Sequence, residues 1–353
     1  MAVRGLAALV SVILILGVLG CSSSSHGSHD AYVTLPGSDQ VTGFHVDNKN
    51  GSMTVISGAP FAAGATPTAA VIDPSNKFVY VANAGEGTVS LFTIGKGGVL
   101  SEVTPRTTVG TNPVSLAIDS AGGFLYVGNF GSNSLSVFSV ASDGSLTAVT
   151  GSPFPTASPL SLLITPSGKF LYVANANTAT ISAFTLTAGI PSAVGTISTQ
   201  LGPAGMAVDG SEHFLYVANS LAGNFSGYAI GTSGALSVIG GSPFTAGTHP
   251  ISLTFSSSGN LLYVANQGSN NISAFSIDGN SGFPTAVTGS PFTAGTGPVM
   301  VVADPAGTFL FSVNQGSRNI SGFSVDSSTG ALKPNSQPQA GTTAVPSSMA
   351  FLH

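Results

Sequence analysis

Five side chains have the types a surface site would need: Asp39, Glu86, Phe130, His249 and Arg318. His249 stands directly before Pro250, and a neutral imidazole near pH 7 is a general base able to activate water. Arg318 supplies a fixed cation for a carboxylate ligand or a developing oxyanion. Asp39 and Glu86 supply carboxylates, and Phe130 supplies an apolar face. Each also has a purely structural reading. Arg318 and Asp39 would form a surface ion pair worth roughly 0–1 kcal/mol. His249 would hydrogen-bond loop backbone, and Phe130 would cover a gap between repeats.

The elements that must position these residues form a repeat. An aromatic opens a Tyr-Val-x-Asn-like segment at Tyr32, Tyr80, Tyr126, Tyr172, Tyr216, Tyr263 and Phe311, at spacings of 48, 46, 46, 44, 47 and 48 residues. A period in the forties, built of short β-patterned runs and Gly-rich turns, predicts an all-β, seven-bladed β-propeller with four antiparallel strands per blade. The first repeat lacks its own first strand, because Ala31-Tyr32-Val33 begins at the second. Pro346 to Phe351 matches the first strands of other repeats, so the C-terminal strand is predicted to close the ring. Strands alternate direction, so loops entering the first strand and loops joining the second to the third open on one face. All five candidates map to that face.

Most other polar residues are absorbed by turns. Asp73, Asp119, Asp209 and Asp304 begin the turn between first and second strands, and Asp47, Asp143, Asp278 and Asp326 begin the turn between third and fourth. A short carboxylate there accepts backbone N–H groups. Asn83, Asn129, Asn175, Asn219, Asn266 and Asn314 form a ring of amides near the loop face. They suit either a polar ligand or, as the simpler reading, loop backbone at strand ends.

Only 6% of residues are charged and the formal net charge is −5. Without a basic stripe, nucleic acid is excluded as a partner. The sequence contains no Cys/His metal cluster, no phosphate loop and no helical setting for a serine nucleophile, so neither metal nor cofactor is predicted. Residues 1–20 read as a signal peptide, with an apolar run from Leu6 to Leu19 too short to span a bilayer comfortably. Val18-Leu19-Gly20-Cys21 resembles a bacterial lipobox. Cys21 is the only cysteine, so it cannot form an internal disulfide, and it is predicted to carry lipid. Residues 21–30 (CSSSSHGSHD) read as a Ser-rich tether with His26 and His29 in solvent, and residues 31–353 as the propeller. The chain is thus expected to be exported and lipid-anchored to the cell envelope. Its predicted partners are the membrane, through that anchor, and an envelope protein or small polar ligand.

The Tyr-Val-Ala-Asn strands at 80–83, 172–175, 216–219 and 263–266, followed by Gly-Ser-Asn-like turns, resemble the YVTN-type seven-bladed propellers. That lactonase-like family includes 6-phosphogluconolactonases and carboxymuconate-cyclising enzymes. The resemblance implies catalytic His and Arg residues where first strands begin, in Pro-His or Gly-Pro-Arg-His contexts. Here the matching strand reads Gly202-Pro203-Ala204-Gly205-Met206, and no first strand contains Arg. Only His249 keeps an imidazole at such a position. The leading expectation is therefore a binding or scaffold module acting through the loop face. The alternatives are a lactonase-like hydrolase using His249, with Arg318 as its candidate partner, and a surface or adhesive structural protein suggested by the charge-poor, Ser/Thr/Gly-rich composition.

Overall fold

Seven antiparallel sheets surround a central channel in the computed structural model, which describes residues 27–335 and 339–352. The innermost strands are short and begin at proline, as in Pro67–Ile72, Pro159–Ile164 and Pro250–Phe255. Each second strand carries the repeat aromatic, as in Phe78–Asn83 and Phe214–Asn219, and is buried along its whole length in those two blades. Both of its faces meet neighbouring blades, which is why its sequence is continuously apolar instead of alternating. The core is accordingly a series of layers, one in each space between blades.

The predicted closure is present. Met349–Phe351 lies antiparallel to the chain's first strand, Ser28–Leu35, which is the second strand of blade one, pairing Ala31 with Phe351, Tyr32 with Ala350 and Val33 with Met349. The N–H of Thr34 donates to the Ser348 carbonyl at 3.1 Å. The ring begins slightly earlier than the sequence suggests. Ser28, His29 and Asp30 belong to the first strand, opposite Asp47, Val46 and His45. His29 is therefore not a free tether residue: its Nδ1 meets Asn48 Oδ1 at 2.5 Å and its ring packs edge-on against Phe351. The predicted signal peptide, Cys21 and His26 lie outside the described residues.

Adjacent blades are joined by a repeated hydrogen bond. The hydroxyls of Tyr32, Tyr80, Tyr126, Tyr172, Tyr216 and Tyr263 donate to the carbonyls of Gly98, Gly144, Gly189, Gly234, Gly282 and Gly330, each in the following blade. Glycine is required at the accepting turn for two reasons. At Gly189 the backbone has φ +76°, and an added Cβ would lie 2.1 Å from the Phe124 ring. The turn aspartates behave as predicted: Asp73, Asp119, Asp209 and Asp304 accept the N–H of Phe78, Phe124, Phe214 and Phe309.

Candidate functional site

The loop face is built from paired turns. The residue before each strand-opening proline is left-handed in several blades: Thr66, Asn112, Ser158 and His249 have φ of 55°, 50°, 50° and 50°. Non-glycine residues take this conformation only where the surroundings hold them. In blade six the hold is explicit. The carbonyls of Thr248 and His249 accept the N–H groups of Gly268 and Gln267, both at 2.9 Å, from the loop between second and third strands.

His249 is exposed and its imidazole makes no hydrogen bond among the described residues. The expected bond to loop backbone belongs instead to its own carbonyl. The ring borders a groove between blades five and six together with Ser220, Leu221, Thr248 and Ser269. This leaves both ring nitrogens available to solvent or ligand. Because Pro250 begins a channel-lining strand, His249 also stands near the rim of the channel, two residues before Ile251, which lines its mouth.

Asp39 has a structural task. It is left-handed at φ 54°, and its Oδ1 accepts the Thr66 N–H of the next blade at 2.8 Å. Asn133 does the same for Ser158, and Asn270 for Gly297, at 2.8 and 2.7 Å. Asp39 is thus one member of a repeated bridge between blades. The expected Asp39–Arg318 ion pair is absent, because the carboxylate is committed to that backbone group. Arg318 occupies the same repeat position, left-handed at φ 52°, and is exposed with no side-chain hydrogen bond or ion pair among the described residues.

Glu86 is also partly committed. One oxygen accepts the Ala65 N–H at 2.8 Å, and both lie 3.1 Å from Arg106 Nη1. The Ala65 N–H, followed by the Arg106 charge, holds this carboxyl below the usual glutamate range, while partial desolvation works in the opposite direction. Arg106 bridges to Glu102 at 2.7 Å as well. Sequence reasoning overlooked this arginine because it lies on an outer strand, Leu100–Thr108, and not in a loop. Flanked by two carboxylates, it offers no free positive charge to a ligand.

Phe130 is half-buried, and its ring stacks on no other aromatic among the described residues. The amide ring is internal: Asn129 Nδ2 donates to Ser136 Oγ at 2.9 Å, and its Oδ1 accepts the Gly110 N–H at 3.1 Å. Asn266 repeats this with Ser273 and Gly247. These amides fasten strands and loops and do not face a ligand. No hydrogen bond or ion pair joins any two of the five candidates, which lie in loops of five different blades, and none of them lines the channel-mouth cavity itself. The mouth itself holds about 1060 Å³ of space, part of it open to solvent, and is bordered by the innermost strands of all seven blades.

The chain matches the family model described as lactonase, 7-bladed β-propeller, over residues 24–189, 183–302 and 285–348. No curated protein matches it. Among solved structures it is similar to a putative 6-phosphogluconolactonase from Bacteroides uniformis, with TM-score 0.82 and 20% identity over 92% of this chain and 99% of that one. A second, from Bacteroides fragilis, has TM-score 0.81 and 21% identity over 94% and 99%. The periplasmic gluconolactonase of Pseudomonas aeruginosa has TM-score 0.79 and 20% identity over 93% and 99%. The family match overturns the expectation of a binding or scaffold module. That expectation equated loss of a particular Arg/His motif with loss of chemistry, yet ester hydrolysis needs only an activated water and dipoles aimed at the oxyanion. From residue 24 to residue 348, this chain belongs to the seven-bladed β-propeller lactonase family.

Proposed function

We propose that the protein is a lactone hydrolase whose reaction takes place at the channel mouth, with His249 as general base. The carrying observation is the family match along nearly the whole ring. The exposed, unengaged imidazole at the rim supports the assignment of the base. Water held by the imidazole attacks the lactone carbonyl and gives its proton to the ring nitrogen. The tetrahedral oxyanion collapses, the ring C–O bond breaks, and the departing oxygen takes the proton back. One water is consumed and a hydroxy acid is released. Arg106 is neutralised by Glu86 and Glu102, which leaves backbone N–H groups or Arg318 to stabilise the oxyanion.

The similar structures named for gluconolactonase and 6-phosphogluconolactonase activity point to lactones as the first substrates to test. The test is release of acid from glucono-1,5-lactone by the purified protein above the spontaneous rate. His249→Ala is expected to lower kcat/KM by about 10²-fold or more, the usual contribution of a general base. Absence of turnover on a broad lactone panel defeats the hydrolase reading. Full activity in His249→Ala moves the base elsewhere.

A further inference from the structure

None of the seven innermost strands contains Asp, Glu, Lys, Arg or His. The channel wall is therefore uncharged from end to end. It is not uniform, however. The upper cavity, on the loop face, presents the hydroxyl-bearing residues Ser161, Ser252 and Ser347. Ser252 Oγ accepts the Val301 N–H at 3.2 Å and Ser347 Oγ donates to the Thr68 carbonyl at 3.2 Å, while the Ser161 hydroxyl has no partner among the described residues. Below, a second cavity of about 810 Å³ is bordered by apolar side chains that include Val71, Leu163 and Met300. Val71 and Met300 border both cavities, so the two adjoin. Ser161 and Leu163 sit two apart on one strand and so share a side of it, the hydroxyl toward the mouth and the isobutyl group deeper.

Such a wall is a poor host for an anion. A phosphate or carboxylate entering it loses water and gains no counter-charge. Free positive charge is also scarce on the loop face: Arg106 is paired with two glutamates, which leaves Arg318 as the one unpaired cation there among the described residues, and it does not line the cavity. An alkyl chain, by contrast, gains from every methylene buried. Six-residue strands make the channel roughly 20 Å deep, more than the length of an extended ten-carbon chain.

We propose that the channel binds an uncharged amphiphilic lactone, its ester ring at the hydroxyl-bearing mouth beside His249 and its alkyl tail in the apolar lower cavity. This substrate class rests on the hydrolase reading above. A phosphorylated sugar lactone, with a dianion in place of a tail, is excluded from the channel.

The experiment measures binding by titration calorimetry and hydrolysis by acid release, using the purified full chain. The ligands are γ-butyrolactone, γ-octalactone, γ-decalactone, glucono-1,5-lactone and its 6-phosphate. Affinity is expected to rise about two- to fourfold per added methylene along the alkyl series, with no measurable binding of the 6-phosphate. Leu163→Asp and, independently, Met300→Ser are expected to flatten the series, with thermal unfolding checked to exclude misfolding. A flat series in the unaltered protein, or preference for the 6-phosphate, overturns the channel assignment; turnover of glucono-1,5-lactone in that case leaves the hydrolase reading intact. Chain-length-dependent binding without hydrolysis of any lactone supports the channel site and defeats the hydrolase reading.

Discussion

The Tyr80 hydroxyl donates to the Gly144 carbonyl at 2.8 Å, across the space between the second and third blades. The same bond recurs at six of the seven junctions and is missing only where Phe311 replaces tyrosine. Each bond is buried, so deleting its donor leaves a carbonyl without a partner. Tyr80→Phe is expected to destabilise the fold by about 1–2 kcal/mol, read as a lower denaturation midpoint with an unchanged slope. An unchanged midpoint would show that the hydroxyl adds nothing to blade cohesion.

The same hydroxyls set an alkaline limit. Burial is the first cause holding Tyr32, Tyr80, Tyr126, Tyr172 and Tyr216 well above the ordinary value of 10.0. Tyr263 is pushed up to about 12, by burial first and then by the Asp326 charge. The fold therefore favours the neutral phenol. This stabilisation is fully present below pH 10, where the unfolded tyrosines are still protonated, and is lost as pH rises through the folded values. Stability measured by urea titration is expected to be flat up to about pH 10 and to fall steeply above it. A decline that began near neutrality would assign alkaline sensitivity to other groups.

The blade count, ring closure and turn aspartates were legible because each recurs at a fixed period and follows from backbone needs. The role of Asp39 was not. Its equivalents, Asn133 and Asn270, show a bridge to the next blade only once the neighbouring loop is in place. The tyrosines read correctly as core, but their glycine acceptors lie more than sixty residues away in another blade. Arg106 was hidden for a related reason: in blade two the fourth strand runs unbroken over Leu100–Thr108, whereas in blade three it stops at Ala148. That added length brings its guanidinium back to a loop-face glutamate. The missing Arg/His motif was read correctly as sequence, but function did not follow from that absence.

Blade seven contains a polar substitution in its core. Asn335 donates its N–H to the Gly322 carbonyl, just as Ile56 does to Gly43 and Ile239 to Gly227. Its side chain thus fills the space those isoleucines fill, and its Nδ2 is buried without a partner among the described residues. An unsatisfied amide donor costs about 1–3 kcal/mol. Asn335→Ile is expected to raise stability by about 1–2 kcal/mol, measured by thermal and chemical unfolding. Destabilisation would indicate that the amide contributes a bond only in solution, for example through water.

Ring closure rests on three residue pairs, Ala31–Phe351, Tyr32–Ala350 and Val33–Met349, with both Met349 and Phe351 buried. Deleting residues 347–353 removes those side chains and uncovers the inner edge of the Ser28–Leu35 strand. Aggregation or loss of cooperative unfolding is expected, seen by light scattering and calorimetry. A soluble truncated protein with unchanged thermal stability would mean that the Met349–Phe351 strand is dispensable.

The lipobox reading of Cys21 gives a prediction about orientation. Gly27 accepts the Asn48 N–H at 3.1 Å beside the turn between third and fourth strands, at the end of the ring opposite the loop face. Cys21 lies only six positions before Gly27, a reach of roughly 20 Å at full extension. A diacylated, N-acylated cysteine holds a protein stably in a bilayer. A lipid on Cys21 would therefore keep the turn side near the membrane and leave His249 and the channel mouth toward water, where a soluble lactone arrives unhindered. Cys21→Ser is expected to release the protein to the soluble fraction or to leave the precursor uncleaved. In lipidated protein on vesicles, a Thr248→Cys reporter is expected to react with a membrane-impermeant maleimide faster than a Lys49→Cys reporter on the turn side. Normal processing and membrane retention of Cys21→Ser sinks the anchor. Faster labelling at position 49 than at 248 reverses the orientation.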